Sequence, residues 1–312
     1  MAKILSVKNI NEKIESDVKK IILDTESRYR GQLFKLAEKI LSKKDTNMVL
    51  IAGPSCAGKT TSAELLKEIL EKRGRPVITI GMDDFFFDRD KSPILENGLR
   101  DLDSPNAVNV KQMKECFESL FSGKKTGFPT FDFITGKNIA DFKTIQLKYN
   151  AIVIFEGLHV LNPLILENIG TQNYFEIYVN ALSHFKLGKE KMNTVDIRLF
   201  RRMIRDVSRR KHSVNTTLKN WDAVCEAENK YISKFKKTVN AVVDTTHDYE
   251  LGILKVAFQE MIAKKQATYS QISFANLIKE IKPVDKSLLP HTTLMWEFVD
   301  QPEDEKEENC NK

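Results

Sequence analysis

Residues 48–70 read MVLIAGPSCAGKTTSAELLKEIL: an apolar run, a glycine-bearing turn and an amphipathic stretch in direct succession. Within it Gly53 to Thr60, GPSCAGKT, fits the pattern G-x-x-x-x-G-K-[ST]. Few folds accept this order. A buried strand must end in a turn whose glycines let the backbone curl, and a helix must start at once. Backbone N–H groups then converge on an anion, and the helix dipole adds to the attraction. Lys59 is placed for the β- and γ-phosphates of a nucleoside triphosphate, and the Thr60 hydroxyl for Mg²⁺. The expected cradle comprises Gly53, Ser55, Ala57, Gly58, Lys59, Thr60 and Thr61.

Four further runs share the β-branched character of 48–53: PVITIG (76–81), AIVIFEG (151–157), YFEIYVNA (174–181) and AVVDTT (241–246). Short, near-continuous apolar runs suit parallel strands covered on both faces. Amphipathic stretches lie between them, at Thr60–Lys72, Val110–Ser122 and Asp196–Arg210. The alternation predicts an α/β domain over 45–265, a doubly wound five-stranded parallel sheet with helices on both faces. Residues 1–44 form a helical N-terminal extension, with Ile14, Val18, Ile21 and Ile22 on one stripe and Leu33, Leu36, Ile40 and Leu41 on another. Such stripes more often join an intramolecular core than a homo-oligomer contact, though both fit the pattern. Residues 266–300 read as a packing segment and the acidic 301–312 as a disordered tail.

The net charge is +6, and RLFRRMIRDVSRRK (198–211) alone holds seven basic residues and one acid. Charge this concentrated suits a compact anion better than the broad basic face of a nucleic-acid binder, although a local RNA contact fits it too. No apolar run approaches the roughly 18 residues of a membrane helix. Four cysteines without a CxxC pair, and no apolar leader, fit a cytoplasmic protein.

Three features point to chemistry. Asp83 and Asp84 follow the second strand, at the sheet edge where ligands bind, and a carboxylate there can take a proton from an attacking hydroxyl or bind Mg²⁺. Glu156 ends the third strand beside the cradle, fit for a metal or water role. Arg198, Arg202, Arg205 and Arg209 share a helix face, and Asp206 is the one acid in their segment. A salt-bridged surface helix would leave most of that charge unpaired, which favours an arginine-rich lid closing over phosphates. No NKxD or LSGGQ signature is present.

Together GPSCAGKTT, MDDFF, LDSPNAVN, FPTFDFITGK, IVIFEGLHVLNP and DIRLFRRMIRD resemble, in order, the uridine kinase and phosphoribulokinase family of P-loop kinases over about 48–250. ENGLRDLDSPNA, TGK and LLPHTTLMWEFV look like its bacterial uridine kinase-like branch, in which the kinase often follows a threonyl-tRNA-synthetase-like module. The resemblance implies a P-loop NTPase fold and ATP- and Mg²⁺-dependent transfer to a small-molecule hydroxyl, most often a nucleoside. It implies Asp83 as the base, also near the metal, with Lys59, Arg202 and Arg205 on the transferring phosphate. It further implies Thr60 and Glu156 on Mg²⁺, Asp103 on a diol of the acceptor, Arg210 and Phe131 on the acceptor side, and the DTTHDYE segment with His247 by the adenine.

The family's uridine-cytidine kinases read the pyrimidine with a tyrosine and a histidine where this sequence has Phe131 and Gly136. A site without those donors loses discrimination of a few kcal/mol, enough to change substrate. A sugar or polyol acceptor therefore stands beside a nucleoside. A nucleotide-sensing or RNA-associated module without turnover is the reading from another class.

Overall fold

The computed structural model describes residues 3–94, 100, 103–171 and 173–301. The chain opens with a short strand β1 (Ile4–Ser6) and a long helix α1 (Val7–Ser42). Next come β2 (Met48–Ala52), α2 (Lys59–Lys72), β3 (Val77–Gly81), α3 (Val110–Phe121), β4 (Thr126–Asp132) and β5 (Lys137–Ile145). The middle of the chain supplies β6 (Ile152–Gly157), α4 (Pro163–Leu166), β7 (Tyr174–Asn180), β8 (His184–Leu187), β9 (Glu190–Met192), α5 (Thr194–Arg209) and α6 (Val214–Tyr231). The remainder is β10 (Ala241–Asp244), α7 (Glu250–Ala263) and α8 (Ala275–Glu280).

The central sheet has five parallel strands in the order β10-β7-β2-β6-β3. Each of the five β-branched runs became one strand. In the inner strands β2 and β6 side chains are buried on both faces and leave no position for alternation to show, whereas the edge strands β10 and β3 are partly exposed. Val49 and Ile51 face the core shared with α1, α2, α5 and α7, while Met48, Leu50 and Ala52 face the core beneath α3. Register aligns Glu156 with Ile51 on one side and Gly81 on the other, so β3 and β6 end level beside the cradle.

The helical extension belongs to this core. Tyr29, Leu33, Leu36 and Ile40 are buried within it, and each such burial is worth about 1.5–3 kcal/mol. The Tyr29 hydroxyl pairs with Ser62 Oγ of α2 at 2.7 Å. One residue, Asp17, departs from helical geometry, and its carboxylate accepts from Lys20 N at 2.9 Å, capping the helix as it restarts. β1 extends the contact by pairing in parallel with β8, which pairs with β9.

Sequence patterning did not foresee the antiparallel hairpin β4–β5. Its register slips between Phe128 and Thr130, at Pro129, which has no N–H for the ladder. The expected tail over 301–312 lies, apart from Gln301, outside the described residues. No described helix is long and apolar enough to cross a membrane.

Candidate active site

The cradle starts where β2 ends. A Cβ at Gly53 would stand 2.1 Å from the Val179 carbonyl oxygen, so only glycine lets the loop leave the sheet there. Gly58, at φ +88°, is the left-handed cap from which α2 begins. Thr245 Oγ1 donates to the Ala57 carbonyl at 2.7 Å, and Arg198 and Arg201 each donate at 3.2 Å to those of Ser55 and Cys56. Three successive carbonyls are thus tied down by side chains from α5 and from the end of β10.

Those arginines revise the count of free charge. Arg198 is fully buried against Glu228 at 2.6 Å, and Arg201 against Glu250 at 2.6 Å. Their counter-ions lie on α6 and α7, beyond the segment in which Asp206 was the sole acid. Arg209 turns away to the backbone carbonyls of Trp296 and Val299. The face expected to close over phosphates is therefore part scaffold. Arg202 remains at the cradle, 3.0 Å from Ser55 Oγ, and Arg205 is held by Asp206 at 2.8 Å.

At the sheet edge the two neighbouring acids separate. Asp84 Oδ1 accepts from Thr130 at 3.0 Å, and its other oxygen meets Lys143 at 3.5 Å, which fastens it to the hairpin. Asp83 Oδ1 is enclosed and accepts no hydrogen bond. Burial raises the Asp83 pKa, the charges of Lys59 and Arg210 pull it back, and Asp84 pushes it up again. Glu156 is likewise raised by burial, to about 7, with Lys59 opposing and Asp83 reinforcing the shift. The Thr60 hydroxyl donates to Glu156 Oε1 at 2.9 Å, so two of the three expected metal ligands, Thr60, Asp83 and Glu156, are directly joined. Among the described residues no group of three or more His, Cys, Asp or Glu could hold a metal alone. Mg²⁺ takes one or two protein ligands and draws the others from phosphates and water. Lys59 waits within the loop, 3.1 Å from the Pro54 carbonyl oxygen.

A strand-to-helix phosphate loop thus lies beside a carboxylate with one unpaired, buried oxygen, and the profile of the phosphoribulokinase/uridine kinase family matches residues 48–251. The chain belongs to that family. Membership makes it an ATP-dependent phosphotransferase that acts on an alcohol. The uridine kinase of Mycoplasma genitalium is 26% identical over 220 residues, 70% of this chain and 94% of that one. The uridine kinase of Saccharomyces cerevisiae is 23% identical, over 78% of this chain and 49% of its own. A solved structure from Silicibacter sp. TM1040, provisionally named a fructose transport system kinase, shares the fold with a TM-score of 0.50 and 17% identity. That alignment covers 67% of this chain and 98% of the other.

Phe131 and Gly136, the positions at which the sequence predicts an altered base reader, lie in a cluster of aromatic and arginine side chains. Phe131 packs edge-on against Phe86 and Phe133, with centroids 5.8 and 5.2 Å away, and Arg210 lies over Phe133 at 4.4 Å. Gly136 is not an open notch. A Cβ there would meet Arg89 side-chain atoms at 3.0 Å. Arg89 in turn donates to the Phe133 carbonyl at 3.0 Å. The Asp103 backbone faces the ring of His159, a fully buried histidine whose nitrogens make no well-formed hydrogen bond. Burial lowers its pKa to about 4.

His247 does not reach the site as expected. Its ring is fully buried between Tyr29 and Tyr249, near Glu26 Oε1 at 3.5 Å, and presents no face to a base. Its packing partners come from α1 and the start of α7, and nothing in DTTHDYE announces α1. Arg201, Glu228 and Glu250 were missed in the same way, since each is intelligible only through its remote partner.

Proposed function

We propose that the chain transfers the γ-phosphate of ATP to a primary hydroxyl of a nucleoside. Lys59 and the loop N–H groups bind the phosphates, with Arg202 and Arg205 neutralising charge that develops on them. Thr60 and Glu156 would hold Mg²⁺, which supplies charge neutralisation on the phosphates when bound. Asp83 takes the acceptor proton as that oxygen bonds to the γ-phosphorus, and the bond to the bridging oxygen breaks to release ADP. Asp103, Phe131 and Arg210 bind the acceptor. The observation that carries this reading is the unpaired oxygen of Asp83, kept basic by burial while Asp84 is engaged elsewhere.

A sugar or polyol acceptor is favoured by one feature: the place of the pyrimidine-reading histidine is filled by Arg89. ADP release with Mg·ATP against a panel of nucleosides, sugars and polyols decides between them. Turnover with a nucleoside supports the proposal, and turnover with sugars or polyols alone replaces it by the second reading. ATP binding without turnover on any acceptor overturns both.

A further inference from the structure

Beside the cradle lies a cavity of about 570 Å³, between α2 and the segment 293–299 that follows α8. Thr61, Leu65, Arg209, Trp296 and Glu297 are among its walls. Thr60 and Thr61 of the cradle form one edge of it, and Glu64, Glu68 and Glu71 of α2 also line it. No role assigned above uses the remainder, whose volume suits a nucleoside-sized ligand.

The segment is held as a fixed strap. A Cβ at Gly58 would come 2.5 Å from Leu294 Cδ1, so Leu294 lies directly on the cap of α2. Thr293 Oγ1 donates to Glu26 of α1 at 2.6 Å and pairs with the Tyr249 hydroxyl at 2.9 Å. Arg209 of α5 binds the strap's backbone, and Leu294, Met295, Trp296 and Phe298 are buried.

Glu297 stands apart from this packing. It is half-buried, and its carboxylate accepts from Thr61 Oγ1 at 3.0 Å, at the first turn of α2. Its charge is felt by Glu156, whose pKa it helps raise. A fixed carboxylate next to an anion cradle weakens phosphate binding unless the ligand brings it a donor. In a nucleoside triphosphate the donors nearest the phosphates are the ribose hydroxyls. A carboxylate beside Thr61, at the mouth of a nucleoside-sized cavity, is therefore complementary to the sugar.

We infer that this cavity seats the nucleoside end of the donor nucleotide and that Glu297 accepts hydrogen bonds from its ribose hydroxyls, exchanging its bond to Thr61. The inference rests on the kinase reading above and makes Glu297 a specificity residue for the donor.

The test is calorimetric titration of the intact chain with Mg·ATP, Mg·2′,3′-dideoxyATP and inorganic tripolyphosphate. It uses the wild type, Glu297→Gln and Glu297→Ala, each checked for an unchanged melting transition. The wild type prefers ATP to the dideoxy nucleotide by about tenfold, the scale of a charged hydrogen bond. Glu297→Gln narrows that preference and Glu297→Ala brings it within about twofold, while tripolyphosphate binds each variant as well as or better than the wild type. An unchanged ribose preference in the variants, or parallel shifts of ATP and tripolyphosphate, overturns the inference while the kinase reading stands. A wild type that binds neither ATP nor tripolyphosphate removes the cradle reading, and the inference with it.

Discussion

Thr60 Oγ1 donates to Glu156 Oε1 across 2.9 Å, joining the start of α2 to the end of β6 at the edge of the sheet. The bond brings together a hydroxyl and a carboxylate that are distant in sequence and suited to one hard cation. Glu156→Gln is therefore expected to weaken ATP binding about tenfold when Mg²⁺ is present and less than about threefold when it is chelated. Calorimetry in both conditions checks this, and equal weakening in the two would remove Glu156 from the metal.

Arg201 and Glu250 form a fully buried pair under the cradle. Replacing Arg201 by Met leaves Glu250 uncompensated and is expected to cost about 3–5 kcal/mol. Adding Glu250→Leu restores most of that stability, since an apolar pair replaces an ionic one. ATP affinity stays reduced in the double variant, because the Cys56 carbonyl has lost its donor. Urea unfolding and ATP titration on the single and double variants separate the two effects. Recovery of affinity along with stability would contradict a positioning role.

The five strands were legible because each is a short, near-continuous apolar run ended by a turn. Register then set Glu156 level with Gly81, two residues before Asp83, at the cradle's edge of the sheet. What stayed hidden depends on partners far along the chain. Arg198 finds Glu228 thirty residues away, and His247 disappears under Tyr29 of the extension. The hairpin escaped because Pro129 breaks its alternation at the register slip. The residues alone left Asp83 and Asp84 open and the resemblance implied Asp83; the partners that engage Asp84, Thr130 and Lys143, are visible only in space.

His159 supplies a pH dependence. Its folded pKa of about 4 lies below its ordinary value of 6.5, so the fold favours the neutral ring. The stabilisation is complete above 6.5 and is lost as pH falls towards 4, by an amount on the order of 3 kcal/mol. Stability measured from pH 7.5 to 4.5 should fall more steeply in the wild type than in His159→Phe. Parallel curves would show that the ring is not held neutral.

Leu33 of α1 is buried in the core that backs the sheet. Leu33→Ala is expected to cost about 2–5 kcal/mol and to lower one cooperative melting transition of the whole chain. A second, independent transition that alone shifts would mean the extension folds as a separate unit.

Asp83 carries the central claim, since its unpaired oxygen is the group proposed to take the acceptor's proton. The most direct measurement is single-turnover phosphoryl transfer by Asp83→Asn, beside ATP affinity measured on the same preparation. The amide keeps the size of the side chain and removes its basicity. Transfer is predicted to fall by at least about 100-fold, as expected for loss of a general base, with ATP affinity within a few fold of wild type. Transfer at a rate near that of the wild type would contradict the account.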